Sequence, residues 1–219
     1  MSDFLTPSQA RKFYDGFGAR QDRQGFYEDA ALAELCRNCE IDKARNVFEF
    51  GCGTGRFASL LLRKHLSPDA RFSACDLSQN MVALAQDRLD EFSARSLIWQ
   101  CDHTADFEPG KPPFDLIISS YVLDLLAPDG ISDMLTEAAR CLNAGGRLGL
   151  VSLTDGRQGF SWLTSRIWAK IQHWRPNLVG GCRPVRLAEY LDPKIWRITH
   201  QRVVVQWTIP SEVIVAVRR

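Results

Sequence analysis

The run Glu49-Phe50-Gly51-Cys52-Gly53-Thr54-Gly55 constrains this chain more than any other part of it. An apolar stretch, Val47 to Phe50, meets alternate glycines, and a helix is expected from about Gly55 to Leu66, stopped before Pro68. Strand, glycine turn and helix in that order open a parallel α/β sheet, whose ligands sit beyond the carboxyl ends of its strands. Glycine here lets the backbone turn sharply and lie against a ligand, because no Cβ intervenes. The spacing is G-x-G-x-G with Arg56 next, so the third glycine comes one residue too early for the dinucleotide pattern G-x-G-x-x-G. Glu49, two residues before the first glycine, would repel a pyrophosphate and suits a cationic amino group. The ligand implied is nucleoside-like and positively charged.

The alternation continues downstream. Arg71 to Cys75 reads as a second strand, and Ser78 as the cap of a helix whose Met81, Leu84, Ala85, Leu89 and Phe92 share one face. Leu97 to Cys101 and Phe114 to Ser120 read as strands, the second buried on both faces. Ile131, Leu135, Ala138, Ala139 and Leu142 trace a helix ending at Asn143-Ala144-Gly145-Gly146, where glycine is expected as a left-handed cap before a strand from Arg147 to Leu153. The first forty or so residues read as helices jointed at Gly16-Phe17-Gly18. Near the C-terminus the rhythm breaks. Trp196 to Trp207 and Glu212 to Arg218 are β-rich runs, expected to pair as an antiparallel hairpin on the sheet edge with a turn at Pro210-Ser211.

The run VFEFGCGTGRFASLLL resembles the first motif of the class I S-adenosylmethionine-dependent methyltransferases. ACDLSQNMVALAQDRL, CDHTAD, FDLIISSYVLDLL and LNAGGRLGLVSL follow in that family's usual order. The resemblance covers roughly residues 40–155 and is closest in pattern to the quinone-biosynthesis and phospholipid branch. It implies an α/β, Rossmann-like doubly wound fold: a mostly parallel seven-stranded sheet with a C-terminal antiparallel hairpin and an N-terminal helical cap. A single domain is expected, with residues 1–43 as the cap, 44–155 as the cofactor-binding core and 156–219 as a lid or substrate helix followed by the hairpin.

The cofactor implied is S-adenosyl-L-methionine, and the reaction is direct in-line methyl transfer to a small-molecule or lipid-like acceptor. By the same resemblance Asp76 accepts the ribose hydroxyls, and Asp102, with the backbone of His103 close by, meets the adenine amino group. Leu77 and Met81 sandwich the adenine. Glu49 and the loop Gly51, Cys52, Gly53, Thr54 and Gly55 hold the methionine end, and Ser119 and Tyr121 leave the fourth strand beside the sulfonium. Phe13-Tyr14-Asp15-Gly16-Phe17-Gly18 resembles the segment that closes over the cofactor in that branch, so Tyr14 and Phe17 are expected to cover it.

A sulfonium methyl already carries its leaving group, so alignment of the acceptor is the main task. A base is needed only where the acceptor must lose a proton. His103, Tyr121 and Asp124 are the candidates, and the sequence singles out none of them. Ser119-Ser120-Tyr121-Val122 lacks the Asn/Asp-Pro-Pro-Tyr signature that accompanies methylation of base amines in this superfamily, so no nucleic-acid partner is expected. Between Gly156 and Arg202 nine Lys/Arg stand against two Asp/Glu, interleaved with tryptophans. Such a segment packs on the sheet, closes as a lid, or makes peripheral membrane contact through residues 160–176. Arg183 and Arg186 are candidates to receive an anionic group of the acceptor.

A net charge of +1 carries no field that points to a polyanionic partner. Of the seven cysteines only Cys36 and Cys39 are close in sequence, so neither a disulfide framework nor a bound metal is expected. No basic leader or membrane-length apolar run is visible, and a cytoplasmic location is expected. Two rival readings are an NAD(P)-dependent oxidoreductase, disfavoured by the glycine spacing, and a non-catalytic S-adenosylmethionine-binding regulatory domain. Nothing in the sequence speaks to oligomeric state.

Overall fold

A computed structural model describes residues 6–102, 107, 110–155 and 182–219, with the side chains of Pro7, Phe17 and Ala19 outside that description. His103, the stretch 160–176 and the ring of Phe17 therefore fall outside the described residues. Seven strands, β1 (Asn46–Phe50), β2 (Arg71–Asp76), β3 (Ser96–Gln100), β4 (Phe114–Ser120), β5 (Leu142–Leu153), β6 (Trp196–Gln206) and β7 (Ile209–Arg218), form one sheet. Its order is β3-β2-β1-β4-β5-β7-β6. Strands β1 to β5 pair in parallel, and β7 runs antiparallel between β5 and β6. This is the doubly wound sheet with a C-terminal hairpin that the resemblance implied.

Five α-helices are described: α1 (Pro7–Phe17), α2 (Gly25–Asn38), α3 (Arg56–Lys64), α4 (Gln79–Arg88) and α5 (Pro128–Cys141). The two-residue period of the strands divides their apolar side chains between two faces. Val47, Phe72, Ala74, Leu116 and Ile118 pack with α2, α3 and α4. Phe48, Phe50, Cys75, Ile117 and Leu148 pack with α5 and with Phe107. Glu49 shares the face of Val47, a carboxylate set among apolar side chains.

Helix α2 is bolted to the far side of the sheet. Leu35 is fully buried, and a Cβ added to Gly149 would come within 3.0 Å of both Leu35 and Cys39, so glycine there lets the helix approach. Buried Glu34 draws in Arg37 of its own helix and Arg202 and His200 of β6. Helix α1 begins at a capping box in which Thr6 and Gln9 bond reciprocally, and Ser78 caps α4 as expected, accepting from the Met81 amide.

Two sequence expectations change. The α5 helix closes where Leu142 N donates to Ala138 O, and the chain enters β5 at once. Gly145, at φ 77°, is an irregularity inside β5 rather than a helix cap. The hairpin turn lies at Trp207-Thr208, and Pro210 and Ser211 belong to β7. Proline is tolerated there because its carbonyl still accepts from Thr154 N while its missing N–H removes one donor.

Trp207 and Thr208 both sit at positive φ, 50° and 68°, the geometry of a two-residue hairpin turn that favours Asn-Gly. A bulky and a β-branched residue there cost about 1–2 kcal/mol each relative to glycine. Replacing the pair by Trp207→Asn and Thr208→Gly is expected to raise stability by about 1–2 kcal/mol in urea denaturation. An unchanged midpoint would contradict this assignment of strain.

Candidate active site

Strand order reverses between β1 and β4, so the carboxyl ends of these two strands open a crevice. The glycine loop leaves β1 on one side of it. The amides of Gly51 and Cys52 both donate to the Cys75 carbonyl, at 2.9 and 3.0 Å, which folds the loop back across the end of β2. Gly51 and Gly55 lie at φ 78° and 73°, and a Cβ on Gly51 would stand 2.2 Å from Val122 Cγ2. The turn after β4 is therefore seated directly on the loop.

Asp76 ties this region together. Its Oδ2 accepts from Gly53 N at 2.8 Å and its Oδ1 from Ser78 N at 2.9 Å, so one carboxylate joins the glycine loop to the start of α4. Burial pushes its carboxyl above the usual range, while the amides of Ser78, Gly53 and Leu77 pull it back. An ionised carboxylate offers about four acceptor sites, so both oxygens keep capacity for further donors.

The N-terminal cap is held over this floor by polar links. Ser78 Oγ donates to Asp15 Oδ1, and Asn80 Nδ2 donates to the Asp15 carbonyl at 2.9 Å. Thr54 Oγ1 donates to Asp22 and accepts from Arg88, and Arg88 pairs with Asp22 at 2.6 Å. Arg11 of α1 pairs with Asp102 at the end of β3. Sequence reasoning missed Arg11, Asp15, Asp22 and Arg88, because their partners lie tens of residues away with no local pattern to announce them.

These elements enclose a cavity of about 630 Å³. Its wall is formed by Tyr14, Gly51, Asp76, Leu77, Met81 and Asp102, by the apolar side chains of Val122, Leu125, Leu126 and Ala127, and by Asp133 and Glu137 of α5. Gln21, from the 3₁₀ turn Gly18–Gln24, also reaches the wall, and its buried Oε1 has no hydrogen-bond partner. Among the described residues that line the cavity there is no lysine, arginine or histidine.

Glu49 is 1 % exposed and its Oε2 accepts no hydrogen bond. Burial, reinforced by the nearby charge of Asp76, pushes its carboxyl up to about 8. Asp124, in the turn after β4, is wholly buried, neither of its oxygens accepts a hydrogen bond of normal geometry, and burial pushes it up to about 7. Tyr121 lies at φ 56° with its ring in the cavity wall, edge-on to Tyr27 at 5.7 Å. Its Oη is engaged with Ser211 Oγ at 2.9 Å. The Ser119 hydroxyl is buried and donates to the Phe50 carbonyl at 3.2 Å, so Ser120 rather than Ser119 lines the cavity.

The two arginines expected to meet the acceptor do not converge. Arg183 Nη2 donates to the Leu126 carbonyl at 2.8 Å and its amide to the Asp124 carbonyl, latching the C-terminal segment to the turn after β4. Arg186 is largely exposed beside Asp155 and Glu189. Neither lines the cavity.

Residues 47–146 match the family model of the methyltransferase domain. The malonyl-[acyl-carrier protein] O-methyltransferase of Herminiimonas arsenicoxydans is 35% identical over 152 residues, covering 69% of this chain and 51% of that protein. The tRNA N(3)-methylcytidine methyltransferase of Drosophila melanogaster is 27% identical over 154 residues, 64% of this chain and 46% of that one. The chain thus spans about half the length of these curated relatives. Magnesium protoporphyrin IX methyltransferase from Synechocystis PCC 6803 with bound SAM shares the fold, with a TM-score of 0.65 at 17% identity over 100% of this chain and 98% of that one.

The seat of Val122 on Gly51 yields a direct test. Gly51→Ala is expected to cost about 1–3 kcal/mol from the clash, with added cost from the positive φ. Pairing it with Val122→Ala should return part of the loss, read as denaturation midpoints. No recovery in the double variant would show that the contact is not what the glycine serves.

Proposed function

The chain belongs to the class I S-adenosylmethionine-dependent methyltransferases, and from this premise we propose that it transfers a methyl group from S-adenosyl-L-methionine to a small-molecule or lipid-like acceptor. The observation that carries the cofactor site is the buried, unpartnered carboxylate of Glu49 beneath the glycine loop. A carboxylate in that setting lacks the cation that would justify its burial, and the ammonium of a methionine moiety supplies one. Asp76, with free acceptor capacity at the end of β2, suits the ribose hydroxyls, and Leu77 and Met81 suit the adenine faces.

The sulfonium cofactor supplies an activated methyl group. The protein's own contribution is to position and enclose. The cap, tied down by Asp15, Asp22 and Arg11, brings Tyr14 over the cavity. The turn carrying Tyr121 and Val122 abuts the loop, so in this reading the acceptor is held against the cofactor. Water exclusion and alignment of this kind contribute about 7–11 kcal/mol to reactions of this type. In this reading Asp102 exchanges its pairing with Arg11 for the adenine amino group.

A small or lipid-like acceptor is supported by the apolar side chains of Val122, Leu125, Leu126 and Ala127 in the cavity wall. A polyanion such as tRNA, the acceptor named for one relative, needs a cationic path for its phosphates, and the described cavity lining carries no cationic side chain.

The test rests on proton linkage. In the free protein Glu49, pushed up to about 8, is largely protonated at pH 7. An ammonium ligand favours the ionised form, so S-adenosylhomocysteine should bind with release of up to one proton at pH 7, and more tightly as pH rises from 6 to 8. Calorimetry in two buffers of different ionisation enthalpy measures that proton. Glu49→Gln should abolish it and weaken binding about tenfold to a hundredfold, the worth of a charge-assisted contact. For the free protein the sign is opposite. A carboxyl raised above its unfolded value of about 4.3 contributes stability that is lost as pH rises toward 8, and Glu49→Gln should flatten that slope. Proton-neutral binding by the parent would remove Glu49 from the site, and absence of binding would remove the methyltransferase reading itself.

A further inference from the structure

Gln21 sits where the N-terminal cap meets the glycine loop. A Cβ built on Gly53 would stand 2.7 Å from Gln21 Oε1, 3.0 Å from Nε2 and 3.1 Å from Cδ, so the carboxamide occupies the space that this glycine leaves open. The next residue, Asp22, accepts from Thr54 Oγ1 and pairs with Arg88. Two consecutive residues of the 3₁₀ turn Gly18–Gln24 are thus set against two consecutive residues of the loop, and the ion pair at Asp22 fixes where Gln21 falls.

The carboxamide is incompletely hydrogen-bonded in that place. Its Oε1 is buried and accepts nothing. The donors of the adjoining loop and helix are engaged elsewhere. The Gly53 amide goes to Asp76, those of Gly51 and Cys52 to the Cys75 carbonyl, and that of Gly55 to the Cys52 carbonyl. The Arg88 guanidinium is engaged by Asp22 and Thr54. A buried amide oxygen without a donor costs free energy, so this one is suited to a donor that a ligand brings.

The nitrogen of the same carboxamide is equally informative. Gln21 lines the cavity, and among the described residues that do so it carries the only side-chain N–H groups, since no lysine, arginine, histidine, asparagine or tryptophan stands with it. A ligand carboxylate beside the loop would find the four loop amides named above already engaged, and Gln21 Nε2 able to donate. A carboxamide presents an acceptor and a donor side by side. That pair matches an ammonium and a carboxylate carried on one carbon atom.

We propose, resting on the methyltransferase reading above, that Gln21 holds the zwitterionic amino-acid end of the cofactor, Oε1 accepting from its ammonium and Nε2 donating to its carboxylate. Glu49, in that reading, answers only the positive charge of the ammonium and would repel the carboxylate beside it. Gln21 is neutral and can meet both groups. It therefore distinguishes a cofactor with an intact α-amino acid from one that lacks the carboxylate, or lacks the amino-acid end altogether. Because Gln21 belongs to the cap, binding that end of the cofactor also fastens the 3₁₀ turn to the loop.

The experiment measures, by calorimetry on the full chain, the affinities for S-adenosylmethionine, its decarboxylated form and 5′-methylthioadenosine, which keeps the nucleoside and lacks the amino-acid end. Gln21→Leu keeps the bulk over Gly53 and removes the hydrogen bonds. It should weaken S-adenosylmethionine about tenfold to a hundredfold, the worth of hydrogen bonds to charged groups, and leave 5′-methylthioadenosine within about twofold. The parent should prefer S-adenosylmethionine to the decarboxylated compound, and Gln21→Glu should reverse that order by repelling the carboxylate and keeping an acceptor for the ammonium. A further readout uses the parent alone. Arg20 and Arg23, exposed on either side of Gln21, are tryptic sites whose cleavage should slow with saturating S-adenosylhomocysteine and not with saturating 5′-methylthioadenosine. Equal losses for both compounds in Gln21→Leu, unchanged binding of S-adenosylmethionine by that variant, the parent's order kept in Gln21→Glu, or equal protection by 5′-methylthioadenosine would each overturn the proposal. A parent that binds none of these compounds would instead remove the methyltransferase reading on which it rests.

Discussion

The double grip on the glycine loop is the constraint from which the rest of the site follows. Two consecutive amides, of Gly51 and Cys52, share the Cys75 carbonyl, and the amide of Gly53 goes to Asp76. These three donors are supplied to the end of β2, the strand beside β1, and the Gly55 amide closes the loop on the Cys52 carbonyl, so the loop is fixed along the crevice. The left-handed φ of Gly51 is what allows this, and the space left by its missing Cβ is filled by Val122. The glycine loop and the turn after β4 are thus registered to each other through one glycine.

Two kinds of attachment hold the N-terminal residues. Helix α2 belongs to the apolar core, with Leu32 and Leu35 buried, each contributing about 1.5–3 kcal/mol. Helix α1 and the 3₁₀ turn after it are held by ion pairs and side-chain hydrogen bonds, several of them half exposed. Exposed pairs are worth about 0–1 kcal/mol each. The part of the cap above the cavity is therefore held far more weakly than the part that packs on the sheet. A cofactor that must enter and leave suits that division, since the weaker links can open without disturbing the core.

Electrostatically the crevice is one-sided. Glu49, Asp76 and Asp124 are drawn into or beneath it, and the cations nearby, Arg11, Arg88 and Arg183, are engaged by Asp102, Asp22 and the Leu126 carbonyl. Burial of carboxylates without cations destabilises the free protein and is offset when a cationic ligand arrives. Glu49 and Asp124, whose buried oxygens accept no hydrogen bond, belong to the end of β1 and the turn after β4, the two strands between which strand order reverses.

Much of this was legible in the amino-acid sequence because it rests on local rules. Strand, turn and helix alternation follows from hydrophobic period, Ser78 is a cap by its residue type and position, and G-x-G-x-G with Glu49 before it already implied a cationic nucleoside ligand. The hairpin turn was misplaced because Trp207-Thr208 carries none of the residues that favour positive φ, whereas Pro210-Ser211 looks like a turn and is paired strand. Gly145 was read as a helix cap for the same reason, a local signal overridden by strand pairing. Only the tertiary structure decided which carboxylates are paired. Asp102 meets Arg11, Asp22 meets Arg88 and Asp15 meets Ser78, while Glu49 and Asp124 are left without hydrogen-bond partners on those oxygens. Hydrogen bonds and burial between residues tens of positions apart depend on how strands are ordered in the sheet, and that order is set by the packing of the whole chain rather than by any segment of it.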